Sequence, residues 1–220
     1  MNTTLVDLTM PFSEETVTVP GHPPPRLELR RTLERDGLRS THLSTMLHCG
    51  THIDAPYHRI ADGATIDQIP LDRFRRPARK VDLTDRAHPG TAITLADLRH
   101  GGFDPDGCAG TILVLATGWA DRNWRSPRLY AENPYLSEQA AVVLAQARPS
   151  ALALDFSVDA GPPWPMHEIL LGADVLLIEN LLGLPALPAE GFTIIAFPLR
   201  LVGENGSPAR VVAELPVTQT

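Results

Sequence analysis

The sequence predicts a strand-rich α/β fold, on three observations. Eight apolar, β-branched runs lie between turn residues, only three stretches show helical spacing with caps, and 21 of the 220 residues are proline, about twice the usual share of roughly 5%. Proline fixes φ and removes a backbone donor, so short elements joined by loops are expected. In chain order, strands are expected at 26–33, 41–47 and 79–83, each bounded by turn residues. A helix follows at 95–99 with Thr94 as its N-cap, then a strand at 111–116. The segment 137–147 reads as a helix, with Ser137 as its cap and Pro149 beyond its end. A strand is expected at 151–155, a helical turn at 166–171 stopped by Gly172, and strands at 174–178, 193–198 and 210–215.

Composition narrows the function classes. Hydrophobic residues make up 43% and charged residues 20%, as in ordinary globular proteins, so disorder and coiled coils are excluded. No internal repeat or linker interrupts the chain, and one domain over 1–220 is expected. The net charge of −7 comes without a basic stripe, which argues against nucleic acid as a partner. The apolar runs at 112–116 and 175–178 are far shorter than the roughly 20 residues of a membrane span. The first residues carry neither a basic nor an apolar leader region, so a cytoplasmic location is expected. Cys49 and Cys108 are too few for a disulfide framework and read as plain thiols.

Histidine is concentrated at one place. Eight histidines in 220 residues would put about 0.4 in any stretch of eleven at random, whereas residues 48–58 hold His48, His52 and His58. With Asp54, these stand at even numbers and therefore share one face of an extended chain. A straight strand would separate His48 from His52 by roughly 13 Å at ~3.3 Å per residue, too far for two ligands of one ion at ~2.0–2.2 Å. The chain is therefore expected to turn at residues 49–51, where Gly50 permits it. His48, His52 and Asp54 form a set suited to zinc, manganese or iron(II), with positions left open for water and substrate. His58, beyond Pro56, suits a proton carrier better than a third imidazole ligand. Downstream, Glu179 ends an apolar strand pattern. It either faces water or needs a buried partner, and with His167 it could complete a second metal site bridged by Asp54.

Residues 48–58 match, at every fixed position, the signature His-x-Gly-Thr-His-x-Asp-x-Pro-x-His. On that motif the sequence resembles the cyclase-like family of metal-dependent hydrolases, of the bacterial kynurenine formamidase and isatin hydrolase type. Similarity continues through residues 6–10 and 20–21, 62–70, 117–119, 132–137, 154–159, 197–200 and 206–210. The resemblance implies a swivelling β/β/α fold, a homodimer or homotetramer, and hydrolysis of amide-type C–N bonds in small aromatic or heterocyclic molecules by a metal-activated water. It implies one metal on His48, His52 and Asp54, a second on Asp54, His167 and Glu179, and His58 as general acid or base. One or two divalent ions per chain follow, zinc first and manganese as the other choice. The family's kynurenine-type pattern Trp-Pro-Gly-Asp is replaced by Val19-Pro-Gly-His22, which removes an aromatic ring and an acid from the substrate's surroundings. Trp164, just ahead of His167, is placed as a substitute ring, and the Ser157 hydroxyl as a second substrate contact or an ordinary loop hydrogen bond. Two rival readings are a lyase, dehydratase or cyclase of secondary metabolism on the same fold, and a non-catalytic binding protein clipped by its metal.

Overall fold

Three short runs, Ile112–Ala116, Ala151–Leu154 and Leu176–Glu179, are buried at every residue, and strands buried on both faces belong in the middle of a layered structure. The computed structural model describes residues 2–217. Its strands are β1 (Thr3–Asp7), β2 (Arg26–Arg31), β3 (Ser40–Ser44), β4 (His52–Asp54), β5 (Arg75–Asp82), β6 (Ala92–Ile93), β7 (Ile112–Ala116), β8 (Tyr135–Leu136), β9 (Ala151–Leu154), β10 (Leu176–Glu179), β11 (Phe192–Pro198) and β12 (Gly206–Pro216). Its helices are α1 (Leu33–Asp36), α2 (Leu95–His100), α3 (Trp119–Asn123), α4 (Arg128–Ala131), α5 (Glu138–Ala147) and α6 (Pro165–Gly172).

The main sheet runs β1-β12-β11-β5-β7-β9-β10-β4, and β4 pairs with β12 as well as with β10. That second pairing closes the sheet into a barrel, with β1 left beside the far half of β12. β5, β7, β9 and β10 are parallel to one another, while the other pairs are antiparallel. Alternation along each central strand produces two cores. Ile112, Val114, Ala116, Ala151, Ala153 and Ile178 fill the barrel, where alternating small and large residues suit a narrow interior. Leu113, Leu115, Leu152, Leu154 and Leu177 face outward onto Leu98 of α2, Leu144 of α5 and Leu170 of α6. Each buried leucine contributes roughly 1.5–3 kcal/mol through its removal from water.

The strand-rich α/β expectation agrees with this architecture, and the differences are local. The strand expected at 26–33 stops at Arg31 because Thr32 caps α1, and the one expected at 41–47 stops at Ser44. β1, β4, β6 and β8 and the short helices α1, α3 and α4 carry too few residues to show a period. β12 starts four residues before the expected 210 and runs through Pro208. Strands β2 and β3 form a separate hairpin whose residues are all exposed.

One buried carboxylate ties the barrel to α3. Asp155, fully buried beyond the end of β9, accepts hydrogen bonds from the Thr117 amide and hydroxyl and from the Gly118 amide. Burial pushes its pKa from 3.8 up to about 6, and the Thr117 and Gly118 donors offset only part of that rise. Because the folded value lies above the unfolded one, the carboxyl's contribution to stability is greatest below pH 4 and is lost as pH rises to about 6. Asp155→Asn points an amide NH₂ at one of these donors and is expected to destabilise the fold by about 2–4 kcal/mol. In urea unfolding, the gap between wild type and this variant should narrow as pH rises from 4 to 6, and a gap that widens would contradict the assignment.

Candidate metal centre

The site begins at the turn before β4. Gly50 has φ +65°, and a Cβ there would stand 3.1 Å from the Phe12 ring, so the turn expected at 49–51 needs its glycine. The Gly50 carbonyl accepts from His52 Nδ1 (2.8 Å) and from Asn180 Nδ2 (3.0 Å). The Thr51 hydroxyl donates to the Asn180 carbonyl (2.7 Å) and accepts from the Met10 amide (2.8 Å). A carbonyl can only accept, so His52 carries a proton on Nδ1 and turns Nε2 towards Asp54 Oδ1 at 3.2 Å.

Register then assembles the donors. In the β4–β10 pair, Glu179 stands opposite His52, Ile178 opposite Ile53 and Leu177 opposite Asp54. Ile53 and Ile178 turn into the barrel, so His52, Asp54 and Glu179 lie together on its outer face. The shared face read from even numbering holds for His52 and Asp54. On the other edge of β4, Gly206 lies opposite Asp54. A Cβ at Gly206 would stand 2.6 Å from the Ile53 carbonyl and 2.9 Å from His48 Cε1, so β12 approaches this closely only with glycine. His48 places Nδ1 2.7 Å from Asp54 Oδ1 and donates from Nε2 to Asn205 Oδ1 at 2.6 Å.

His167 arrives from α6. Trp164 precedes the helix with φ +66°, Pro165 opens it, and Asp159 holds its first turn. The Asp159 carboxylate accepts from the Met166 amide (2.9 Å), the His167 amide (3.0 Å) and His167 Nδ1 (2.6 Å). His167 Nε2 is thereby aimed at Asp54 Oδ2 (3.6 Å) and Glu179 Oε1 (3.5 Å). The sequence alone does not mark Asp159, Asn180 and Asn205 as positioning groups. Asp159 did lie in a segment that matched the family, eight residues ahead of His167, whereas nothing local marks Asn205.

The electrostatics are those of an anionic pocket closed by imidazoles. Asp54, Asp159 and Glu179 are buried, and among the described residues their ion-pair partners are histidines alone. Burial resists charging of His167, but the Asp159 and Glu179 carboxylates prevail and lift its pKa to about 10. His52 is raised for the same reason, Asp54 and Glu179 outweighing its burial. Asp54 is held well below the usual carboxylate range, because His48 and His52 overcome its desolvation. His58 is driven down to about 4 by burial and by the surrounding imidazoles, against the pull of Asp54.

Two buried oxygens, Asp54 Oδ2 and Glu179 Oε1, have no hydrogen-bond partner. An unpaired buried carboxylate oxygen is costly unless a cation answers it, and the donor set of imidazole and carboxylate suits a divalent ion. Asp54 Oδ1 lies 3.2 Å from His52 Nε2, near the about 3.4 Å between neighbouring donors of a tetrahedral site, while its 2.7 Å approach to His48 Nδ1 is that of a hydrogen bond. The donors nevertheless group differently from the expectation. Ligand atoms of His48, Asp54 and His58 lie within 4.8 Å of one another, as do those of His52, Asp54 and Glu179. Cross-strand pairing draws His52 to Glu179, and the His58 ring lies 4.0 Å from that of His48, within reach of the ligand position that the spacing ranks below a proton carrier.

These groups line one cavity of about 520 Å³, whose walls include Val19, Pro20, Tyr130, Ser157 and Trp164. Trp164 meets His167 edge-on at 6.1 Å, and Asn133 bonds the Ser157 backbone through both its amide and its carbonyl. Cys49 is buried, with its thiol pushed up by desolvation, which fits its reading as a plain thiol.

Comparison with known proteins agrees with this geometry. The chain is 28% identical over 211 residues to a kynurenine formamidase of Bacillus cytotoxicus, covering 94% of this chain and 95% of the relative. Isatin hydrolase A from Ralstonia solanacearum superposes with a TM-score of 0.84 at 26% identity, covering 97% of this chain and 92% of that one. A Bacillus stearothermophilus protein described as a predicted metal-dependent hydrolase superposes at 0.78 with 28% identity, over 97% of this chain and 99% of the other. The model of the family described as putative cyclase matches residues 6–160, and the chain belongs to that family.

Proposed function

We propose that this protein is a metal-dependent hydrolase that cleaves an amide-type C–N bond, in a formamide, amide or lactam, of a small aromatic or heterocyclic molecule. The observation that carries the reading is the pair of partnerless buried oxygens, Asp54 Oδ2 and Glu179 Oε1, beside imidazole nitrogens in a cavity large enough for such a substrate. The activities of the formamidase and isatin hydrolase relatives support it.

In this reading His48, His52, Asp54, His167 and Glu179 hold one or two divalent ions, zinc first and manganese as the other choice. A bound ion would polarise the substrate carbonyl and acidify a water. Asp159 positions His167 through Nδ1, and the Gly50 carbonyl does the same for His52, so that the two Nε2 atoms would be offered to a bound ion. His58 is kept uncharged at neutral pH by its surroundings, which leaves it ready to take a proton from the attacking water and pass it to the departing nitrogen. Trp164, Val19 and Pro20 provide apolar surface for the ring, and the Ser157 hydroxyl a polar contact at its edge.

Elemental analysis of the purified protein, paired with hydrolysis of N-formylkynurenine, isatin and simple aryl formamides, tests the proposal. One or two divalent ions per chain and chelator-sensitive turnover of at least one compound are expected. A product formed without incorporation of water would instead favour a lyase. Asp159→Asn should lower metal affinity about 10- to 100-fold while far-UV circular dichroism stays that of the wild type. His58→Ala should keep its metal and lose about 10²–10⁴-fold in kcat, and loss of the metal in this variant would make His58 a ligand instead.

A further inference from the structure

The cavity wall also carries two nitrogen-bearing side chains, Arg59 and His22, that the chemistry above does not use. Arg59 follows His58 directly, lines the cavity and is half-buried. Its Nη2 donates to the Pro163 carbonyl at 2.8 Å, which fixes the guanidinium. Its Nε is buried and has no hydrogen-bond partner. The nearest carboxylate, on exposed Glu168, is 3.9 Å away, and a pair that long and that wet contributes little. His22 lines the same cavity, and its Nδ1 is likewise buried without a partner. The acids on the cavity wall, Asp54, Asp159 and Glu179, are all engaged with the histidines of the metal centre. No acid of the wall is therefore left to satisfy these two nitrogens.

A guanidinium N–H left without an acceptor inside the cavity wall costs free energy, and the planar fork that lines the cavity matches a carboxylate better than a neutral acceptor. We propose that Arg59, assisted by His22, forms a carboxylate-binding subsite, and that the substrates of this enzyme are aryl amides bearing a carboxylate on or beside the ring. This deepens the proposed activity and rests on it for the amide half of the ligand. The ring then lies between the metal centre and Arg59, against Val19, Pro20 and Trp164.

The test is calorimetric titration of the metal-loaded protein with the three ring isomers of (methanesulfonamido)benzoate, each against methanesulfonanilide. The sulfonamides resist hydrolysis, and the two types of probe differ only in the carboxylate. At least one isomer should bind about ten- to a hundred-fold tighter than the neutral probe, as expected for a charge-assisted contact. That ratio should fall towards one in Arg59→Met, survive in part in Arg59→Lys, and weaken in His22→Phe. A wild-type ratio near one for all three isomers overturns the inference. So does a preference that persists in Arg59→Met, since the carboxylate would then be binding elsewhere. Preference without turnover of any aryl amide would leave the subsite standing and remove the proposed activity, and turnover without preference would do the reverse.

Discussion

The three residues of β4 are the constraint on which the rest of the structure depends. Among the described residues they alone pair with β10 on one side and β12 on the other, so the barrel closes through them. Their alternation divides the labour, because Ile53 enters the barrel while His52 and Asp54 remain on its outer face. Barrel closure and presentation of the donors are thus one structural event. A slip of one residue in the β4–β10 register would turn the acid and the imidazole into an apolar interior.

The site is costly by design of its surroundings. Three carboxylates are withdrawn from water and answered by imidazoles, with two oxygens left open, an arrangement that cations relieve and apolar neighbours do not. The residues that hold it in shape are mostly neutral hydrogen-bonding groups. Asn180, with φ +60°, clamps the Gly50 turn and also donates to Tyr130, and Thr51 joins that turn to the chain at Met10. Only Asp159 among them is charged, and it serves both the first turn of α6 and the His167 ring. Position and tautomer are therefore set by the fold before any ligand arrives.

Strands with long apolar runs were legible in the sequence because their burial on both faces overrides local ambiguity, as in 112–116 and 151–155. So were α2 and α5, whose caps Thr94 and Ser137 accept the expected amide hydrogen bonds. β4 was not legible as a strand. Three residues between a turn and a proline show no period, and their extended shape comes from the strands on either side. The histidine cluster announced a metal centre, but the partition of its donors did not follow from spacing. His52 and Glu179 are 127 positions apart in number and adjacent in register, and His58 comes beside His48 only because a short helical turn follows Pro56.

The sequence by itself determined the kinds of atom available and the local turns that aim them: imidazole and carboxylate at alternating positions, a glycine where φ must be positive, hydroxyl caps at the starts of α2 and α5. These properties depend on neighbours within a few residues, which the chain order supplies. Tertiary structure alone decided which donors share an ion-sized space, which buried oxygens lack a partner, and that Arg59 and His22 face one cavity with idle nitrogens. Those properties arise from register across strands and from exclusion of water, and both exist only once distant segments have closed around the same volume.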